Sequence, residues 1–421
     1  MTAQDRVQGI NSVFLKFCEC TSFVPICAHI VTNLLAIFQV SITHLCTVNL
    51  LDINMASIDL HYKVRTGNTQ EVASILNSYT DNSAKLSKVR SQDSDGLTAL
   101  HVAAQQKDST IASTIFDVLD IGINEIFHLL RQTNHDGQTA IETGAQRGHA
   151  DTISVFLRQL DPCQITNLLS QKNNENCTAL MVMASHNSNP DTFHALTNTL
   201  SISQRMELLS MTDHNGDTPL HHAAKAGTEN KSLIAAMLDS IDLEDRERLL
   251  KQMNYENNIV PMLAVFRDHH ATDTVVMLLE SVRSPHRRLS LCSDPNCFDG
   301  NTKLHHATRS SAEGSVSAIL SHLHPEWQLS LLARKNNDGN TALHLATSVD
   351  LAITKVLVNG IDAALCKELL QVQNHGGDTV LHKVARTGKL FIFNHLSHKL
   401  GKQSMSSLLR IKNSHDNTFM H

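Results

Sequence analysis

A short motif recurs along most of this chain, and its spacing constrains the fold more than any other feature of the sequence. In its fullest form the motif reads Gly-x-Thr-x-Leu-His, as in residues 339–344. Its threonine position falls at Thr98, Thr139, Thr178, Thr218, Val260, Thr302, Thr341, Thr379 and Thr418. Consecutive copies are therefore 38 to 42 residues apart, and a degenerate copy precedes them at residues 58–61. A period held at about 40 residues indicates an array of one repeated supersecondary unit.

Each copy of the motif carries signals for helices. In the copy at Thr341, Asp338 and Gly339 predict a turn in which the glycine adopts a positive φ. Thr341 follows as a predicted helix N-cap, and Leu343 and Ala346 form the apolar stripe of a first helix. A glycine-marked turn and a second apolar stripe predict a second helix. A Leu-Leu pair about ten residues before the next threonine predicts a short third helical turn, so the expected fold class is all-α.

The order of these residues resembles the ankyrin repeat. The closest copy of that family's T-x-L-H-x-A motif is residues 218–223, and the resemblance covers roughly residues 57–421. The period is about seven residues longer than the 33 residues of that family, and the Leu-Leu segment fits the excess. The resemblance implies a solenoid of stacked helical hairpins with projecting loops, in about nine repeats of which the last is truncated. It also implies that each histidine of the motif bonds backbone or loop groups of its own or the next repeat.

The recurring histidines invite a catalytic or metal-binding interpretation, but their spacing argues against it. They are His61, His101, His221, His305, His344, His382 and His421. Side chains about 40 residues apart in such an array cannot share one active site. No phosphate-binding loop, dinucleotide-binding loop, zinc-protease motif or serine-hydrolase motif occurs in the sequence. We therefore expect a protein that is not an enzyme and uses no cofactor and no metal.

Two other clusters could suggest a metal. Asp268, His269 and His270 match a signature of some metal-dependent phosphoesterases, but no strand pattern nearby would supply the acidic ligands that this chemistry needs. Cys292 and Cys297 have a spacing that structural zinc sites use, yet no second ligand pair follows at finger spacing. The nine cysteines are odd in number and do not follow the repeat. We therefore interpret them as reduced thiols of a cytoplasmic protein.

Residues 1–56 form a separate, apolar N-terminal segment. Between residues 20 and 51 there is no Asp, Glu, Lys or Arg, and the 24 residues 23–46 are long enough to span a bilayer. Pro25, His29 and Asn33 within that stretch are unfavourable in hydrocarbon. The segment is thus either a pair of helices that caps the first repeat, or a membrane segment, or a disordered stretch ahead of a true start at Met55.

Composition and repeat pattern together predict a binding function. The net charge of −6 gives no basic surface, so nucleic acid is not an expected partner. We expect a monomeric, cytoplasmic protein–protein interaction scaffold that binds one or more proteins through the concave face and loop tips of the array. The alternative is a membrane-tethered adaptor, associated with a membrane through residues 20–51, or an effector that an intracellular bacterium secretes into its host cell, since similar long repeats occur in such bacteria.

The predicted partner-binding residues belong to two groups, loop tips and first helices. At the loop tips they are His135, Asp136, His214, Asn215, Tyr255, Glu256, Asn337, Asp338 and His375. On the first helices they are Lys225, Lys383 and Arg386.

Overall fold

The computed structural model describes residues 60–420 except 187–188, 257, 261–271, 283 and 296–298. Within these ranges the chain is helical and contains no strand, only an isolated bridge between Thr133 and Thr139. The prediction of an all-α fold is therefore confirmed. Residues Val64–His421 form one compact unit. The apolar N-terminal segment, for which the sequence left several alternatives open, lies outside the described residues. No helix within the described residues is long and apolar enough to cross a membrane.

The periods that the structure describes in full fold into three helices, and we name each repeat by the residue at its threonine position. The first helix of the repeat at residue 260 lies largely outside the described residues. The first helices are Ala99–Ala104, Ala140–Arg147, Ala179–His186, Pro219–Ala226, Lys303–Arg309, Ala342–Val349 and Val380–Thr387. The second helices are Thr110–Val118, Ala150–Leu157, Pro190–Thr197, Lys231–Asp239, Thr272–Glu280, Glu313–Ser321 and Leu351–Asn359. The third helices are Ile123–Leu130, Pro162–Leu169, Ile202–Ser210, Leu243–Lys251, Pro285–Ser293, Pro325–Leu332 and Ala363–Gln371.

The two ends of the described chain follow the same plan with small changes. Three helices, Leu60–Arg65, Thr69–Asn77 and Asn82–Arg90, correspond to the degenerate copy of the motif. A short 3-10 turn, Thr228–Asn230, precedes one second helix. In the Thr379 repeat the second and third helices merge into Leu390–Leu408, with a break at Gly401, whose φ is 77°. The unit that repeats is therefore a triplet of helices.

The third element of each repeat is larger than the predicted single turn. Where it is separate from the second helix, it is a helix of eight or nine residues, for example Pro162–Leu169. Its Leu-Leu pair is buried, and Leu168 and Leu169 expose 2% and 0% of their surface. Three of the third helices also begin at a proline, Pro162, Pro285 and Pro325, but the prediction rested on the buried pair alone.

Helices of the same order pack on one another from repeat to repeat. First helices contact first helices, second helices contact second helices, and third helices contact third helices of the neighbouring repeats. The alanines of the first-helix stripe, such as Ala223 and Ala346, are fully buried at these contacts. A methyl side chain lets two helices approach closely, so the alanine–leucine stripe forms the contact surface between successive first helices.

Most first helices begin at a threonine N-cap, as predicted. Thr178 keeps the cap position, but its buried hydroxyl has no hydrogen-bond partner in the described part of the chain. The Thr341 hydroxyl accepts the N–H of His344 at 3.4 Å, while the Thr341 N–H donates to Nδ1 of His344 at 3.2 Å. This is a reciprocal capping box in which histidine takes the place that Glu or Gln usually has. It satisfies two amides that the first turn of a helix would otherwise leave without partners.

One copy of the motif is displaced by a residue from its predicted position. The main-chain N–H of Asn254 donates to the Asn258 carbonyl at 3.0 Å, as the N–H of Asp213 does to Asp217. Asn258 therefore corresponds to the residue before the threonine, so Ile259 occupies the cap position. The prediction of Val260 was wrong because neither residue has the hydroxyl that marks the cap in the other copies.

Replacing Thr341 with alanine should lower the free energy of unfolding by about 1 kcal/mol, because the first turn of the Ala342–Val349 helix loses its side-chain acceptor. Thr341→Ser keeps the hydroxyl and should retain most of the stability. Urea denaturation of the three proteins measures the difference. An equal loss in the serine and alanine variants would show that the methyl group, and not the cap, stabilises this position.

Candidate functional site

In eight repeats, one Asn or Asp side chain holds the loop before the threonine position, whereas Cys297, outside the described residues, stands at the equivalent position before Thr302. Before Thr341, Oδ1 of Asn336 accepts the N–H of Asp338 at 3.1 Å and that of Asn340 at 2.9 Å. Gly339 lies between them with a φ of 76°, which other residues rarely adopt. The same pair of bonds is made by Asp93, Asn134, Asn173, Asp213, Asn254, Asn374 and Asn413. The conformation of the loops is therefore set within each repeat.

The tips of consecutive loops are joined by main-chain hydrogen bonds. The N–H of Asn337 donates to the Asp299 carbonyl at 2.9 Å, and the N–H of His375 donates to the Asp338 carbonyl at 3.1 Å. The same bond joins His135 to Asp95, Asn174 to Asp136, Tyr255 to Asn215 and Ser414 to Gly376. Because the stack uses these main-chain groups itself, the tips can offer a partner mainly their side chains.

All nine loop-tip residues predicted to contact a partner lie at exposed positions. They are His135, Asp136, His214, Asn215, Tyr255, Glu256, Asn337, Asp338 and His375. Tyr255 exposes 73% of its surface and is the most exposed large aromatic side chain among the described residues. Nδ1 of His214 is 3.0 Å from the Glu175 carbonyl of the preceding loop, so this ring is anchored. Their role as contacts stays a prediction.

The three predicted residues on first helices differ in what they contact. Lys225 forms an ion pair with Asp217, and Arg386 forms one with Asp378 at 2.8 Å. Both carboxylates belong to the residue that precedes a capping threonine. Lys383 is partly exposed. Lys225 and Arg386 therefore stabilise the loops of their own repeats, and this use competes with contact to a partner.

The recurring histidines connect neighbouring repeats, as the resemblance implied. Nε2 of His344 is 3.1 Å from the Asp378 carbonyl of the next repeat. Since Nδ1 accepts the Thr341 N–H, the ring proton is on Nε2 and is donated to that carbonyl. Burial lowers the pKa of His344 to about 4. The same two-sided bonding is found at His101, His221, His305 and His382. His61 is buried, and His421 lies outside the described residues.

Two adjacent repeats replace this histidine and lose the connection. Oε2 of Glu142 accepts the Thr139 N–H at 2.7 Å, but its buried Oε1 has no hydrogen-bond partner in the described part of the chain. Burial raises the pKa of Glu142 to about 7. In the next repeat, Sδ of Met181 accepts the Thr178 N–H at 3.4 Å. Both side chains cap their own helix, and in the described part of the chain neither makes the histidine type of bond to the following loop.

A polar cluster that the sequence did not predict lies between the Thr178 and Thr218 repeats. One ligand atom each of Cys177, Asp213 and His222 lies within 4.8 Å of the others. Nε2 of His222 is 3.1 Å from Oδ2 of Asp213, and its Nδ1 is 2.9 Å from Oγ of Ser185. Cys177 and Asp213 expose 8% and 4% of their surfaces. The cluster therefore brings a thiol, a carboxylate and an imidazole together in a largely buried place.

The arrangement does not suit nucleophilic catalysis. Ser185 is in the last turn of the helix Ala179–His186, and its hydroxyl lies 3.0 Å from the Met181 carbonyl of the same helix. Burial, together with the nearby Asp213, raises the pKa of Cys177 to about 11. The thiol is therefore protonated at neutral pH and is a poor nucleophile.

The two metal sites that the sequence could suggest receive no support. Asp268, His269 and His270 lie outside the described residues, and so does Cys297. Cys292 is buried, and burial raises the pKa of its thiol to about 12. Comparison of the chain with models of known protein families, and with curated proteins, finds no match.

The histidine connections should make the protein less stable in mild acid. The unfolded chain takes up a proton at His344 near pH 6.5, whereas the folded chain keeps this ring neutral down to about pH 4. Stability should therefore fall as the pH decreases from 6.5 to 4, by up to about 1.4 kcal/mol per pH unit for this ring.

Urea denaturation at several pH values in this window tests the effect, with His344→Gln as the matched variant. The glutamine can still cap the helix but does not titrate, so its dependence on pH should be shallower than that of the unmodified protein. Parallel curves for the two proteins would contradict the assignment.

Glu142 should have the opposite dependence on pH. Because its pKa is raised to about 7 in the folded protein, its contribution to stability decreases as the pH rises from about 4.5 to 7. Glu142→Gln removes the buried charge, so it should stabilise the protein by about 3 kcal/mol at pH 8 and have little effect at pH 4. Thermal and urea unfolding at the two pH values provide the measurement, and equal effects at both would refute the prediction.

Proposed function

We propose that residues 57–421 form an ankyrin-type solenoid that acts as a non-catalytic scaffold for protein–protein interaction. The support for the solenoid is the combination of a T-x-L-H-x-A first helix with a histidine that connects one repeat to the next loop, as His344 connects to Asp378. The packing of equivalent helices in chain order supports it as well.

The observation that carries the binding function is the row of loop tips. Most tips have an exposed side chain on a main chain that is fixed by an Asn or Asp side chain below it and by a hydrogen bond to a neighbouring tip. A surface that is ordered before binding loses little conformational entropy when a partner binds. The array therefore suits a folded protein partner that contacts several tips at once.

The side chains in this row suit a protein surface. Equivalent positions carry His135, His214, Tyr255, Asn337 and His375, which are aromatic, imidazole and amide groups. Aromatic and other rigid side chains contribute much contact area for a small loss of side-chain freedom. The row is nearly free of lysine, so a nucleic acid or an anionic membrane is not the proposed partner.

We place this scaffold in the cytoplasm, as a monomer. The described cysteines are Cys163, Cys177, Cys292 and Cys366, and they are all free thiols. Three of them are buried within the array. Buried thiols that are not paired suit a reducing compartment, where disulfides rarely form.

Capture of proteins by the full chain from a cell extract, with one triple variant of the loop tips and one double variant as the control, tests the scaffold function. The first variant combines His135→Ser, Tyr255→Ser and His375→Ser, since Ser414 already stands at the equivalent position in the last loop. The control changes exposed apolar residues of the third helices, Ile123→Ser and Leu243→Ser. Unchanged circular dichroism and melting temperature establish that each variant is folded.

The tip variant should reduce the amount of a captured protein by about tenfold or more, and the control should not. Quantitative mass spectrometry of the captured proteins gives the ratio. If the tip variant and the control capture the same proteins in the same amounts, the loop tips are not the binding surface.

A further inference from the structure

The boundary between the Thr178 and Thr218 repeats lacks the histidine connection that joins most other repeats. Met181 stands at the histidine position, and its sulfur accepts a hydrogen bond from Thr178 of its own repeat. In the following repeat, by contrast, Nε2 of His221 reaches the Asn258 carbonyl at 3.1 Å. The first helix of the Thr178 repeat, as the structure describes it, therefore makes no histidine connection to the Asp213 loop of the next repeat.

The Cys–Asp–His cluster lies at this same boundary and draws its members from both sides of it. Cys177 directly precedes the capping Thr178 of one repeat, whereas Asp213 and His222 belong to the next repeat. The sulfur, the carboxylate oxygen and the ring nitrogen lie within 4.8 Å of one another. A single ion bound to all three would therefore connect the two repeats.

Two of the three side chains are held in orientations that suit a metal ligand. Oδ1 of Asp213 accepts the N–H of Asn215 at 2.8 Å and that of Asp217 at 2.9 Å, so Oδ2 is left to face His222. Oγ of Ser185 is 2.9 Å from Nδ1 of His222. Hydrogen bonds of this kind, made by the atom that does not bind the metal, fix the orientation of metal ligands in proteins.

We propose that Cys177, Asp213 and His222 bind a zinc ion that links the Thr178 and Thr218 repeats. The separation of 3.1 Å between Nε2 of His222 and Oδ2 of Asp213 is close to the roughly 3.3 Å expected for two tetrahedral ligands that are each about 2.0–2.1 Å from zinc. On binding, the Cys177 thiol releases its proton to water and the thiolate bonds to the ion. A water molecule completes the four ligands.

The hydrogen bonds around His222 fit this state. Nε2 binds the ion through its lone pair, so the ring proton is on Nδ1 and is donated to Oγ of Ser185. The Ser185 hydroxyl in turn donates to the Met181 carbonyl, 3.0 Å away. The donor set of one sulfur, one nitrogen and one oxygen favours Zn²⁺ over Mg²⁺ or Ca²⁺, which prefer oxygen, and over Cu⁺, which prefers sulfur.

The chain offers a matched pair of variants for the test. Asp213→Asn keeps the Oδ1 atom that holds the loop, because Oδ1 of Asn134, Asn173 and Asn336 accepts the same main-chain hydrogen bond in other repeats. The substitution removes the charged metal ligand. Asp93→Asn makes the same change in a loop without the cysteine and histidine. Cys177→Ser and Cys163→Ser form a second pair, since Cys163 is an exposed thiol outside the cluster.

The experiment is a titration of the chelator-treated full chain with Co²⁺, which reports a cobalt–thiolate bond as a near-ultraviolet absorption band, followed by displacement with Zn²⁺. We expect one equivalent of this band in the unmodified protein and in Asp93→Asn and Cys163→Ser. We expect its loss in Cys177→Ser and a weakening of binding by about tenfold or more in Asp213→Asn. Ser185→Ala should weaken binding by about tenfold.

Thermal unfolding with and without Zn²⁺ gives a second measurement, because an ion that binds only the folded protein raises its melting temperature. The rise should be present in Asp93→Asn and absent in Asp213→Asn, while both variants melt normally without metal. The proposal is overturned if the unmodified chain shows no cobalt–thiolate band, if the band survives in Cys177→Ser, or if Asp213→Asn binds metal as the unmodified chain does. None of these results bears on the capture of partners by the loop tips.

Discussion

The array depends on one interaction, the pair of hydrogen bonds that an Asn or Asp oxygen accepts in eight of its loops. In the loop before Thr341, Asn336 holds two main-chain amides that would otherwise lack partners where the loop turns. The turn places Thr341 at the start of its helix, and it brings the Asp378 carbonyl of the next loop within reach of His344. Caps, histidine connections and the row of tips all follow from this loop geometry.

Whether Asn or Asp stands at that position determines which other groups the side chain can bind. An asparagine uses its amide group to reach the preceding repeat, as Asn336 does when it donates to Asn301 at 2.9 Å. An aspartate has a second oxygen that needs a cation or a donor instead. Asp93 faces Arg65 at 3.4 Å, whereas Asp213 faces His222. The metal-binding geometry is thus a variation of a structural loop.

The sequence predicted those parts of the fold that recur as side chains. Most of the threonine caps, the positive φ of Gly339 and the connections made by five of the histidines are confirmed, because each depends on a residue type that returns about every 40 residues. The main-chain hydrogen bonds between loop tips require no particular side chain, so the sequence could not predict them. The cap at Ile259 was misplaced by one residue because an apolar side chain replaces the hydroxyl there.

The cluster was missed because its members are 36 and 9 residues apart, and neither interval matches the repeat or a known metal motif. A signal did exist in the sequence. Cys177 is the only cysteine at the position before a capping residue, where other repeats carry Gln138, Asp217 or Asn340. The aligned repeats therefore mark the position as unusual, but only the packing of two loops brings His222 next to it.

In a stack where each repeat contacts only its neighbours, a weak boundary cannot be offset by distant contacts. Among the boundaries within the described residues, the two without the histidine connection, after Glu142 and after Met181, are consecutive. One contains a carboxyl group with a pKa of about 7, and the other contains the Cys–Asp–His cluster. The later boundaries, by contrast, are joined by neutral groups such as His305, His344 and the amide of Asn374. These two adjacent boundaries therefore differ in chemistry from those joined by a buried histidine, because a carboxyl group that titrates near pH 7 lies at one of them and the proposed zinc site lies at the other.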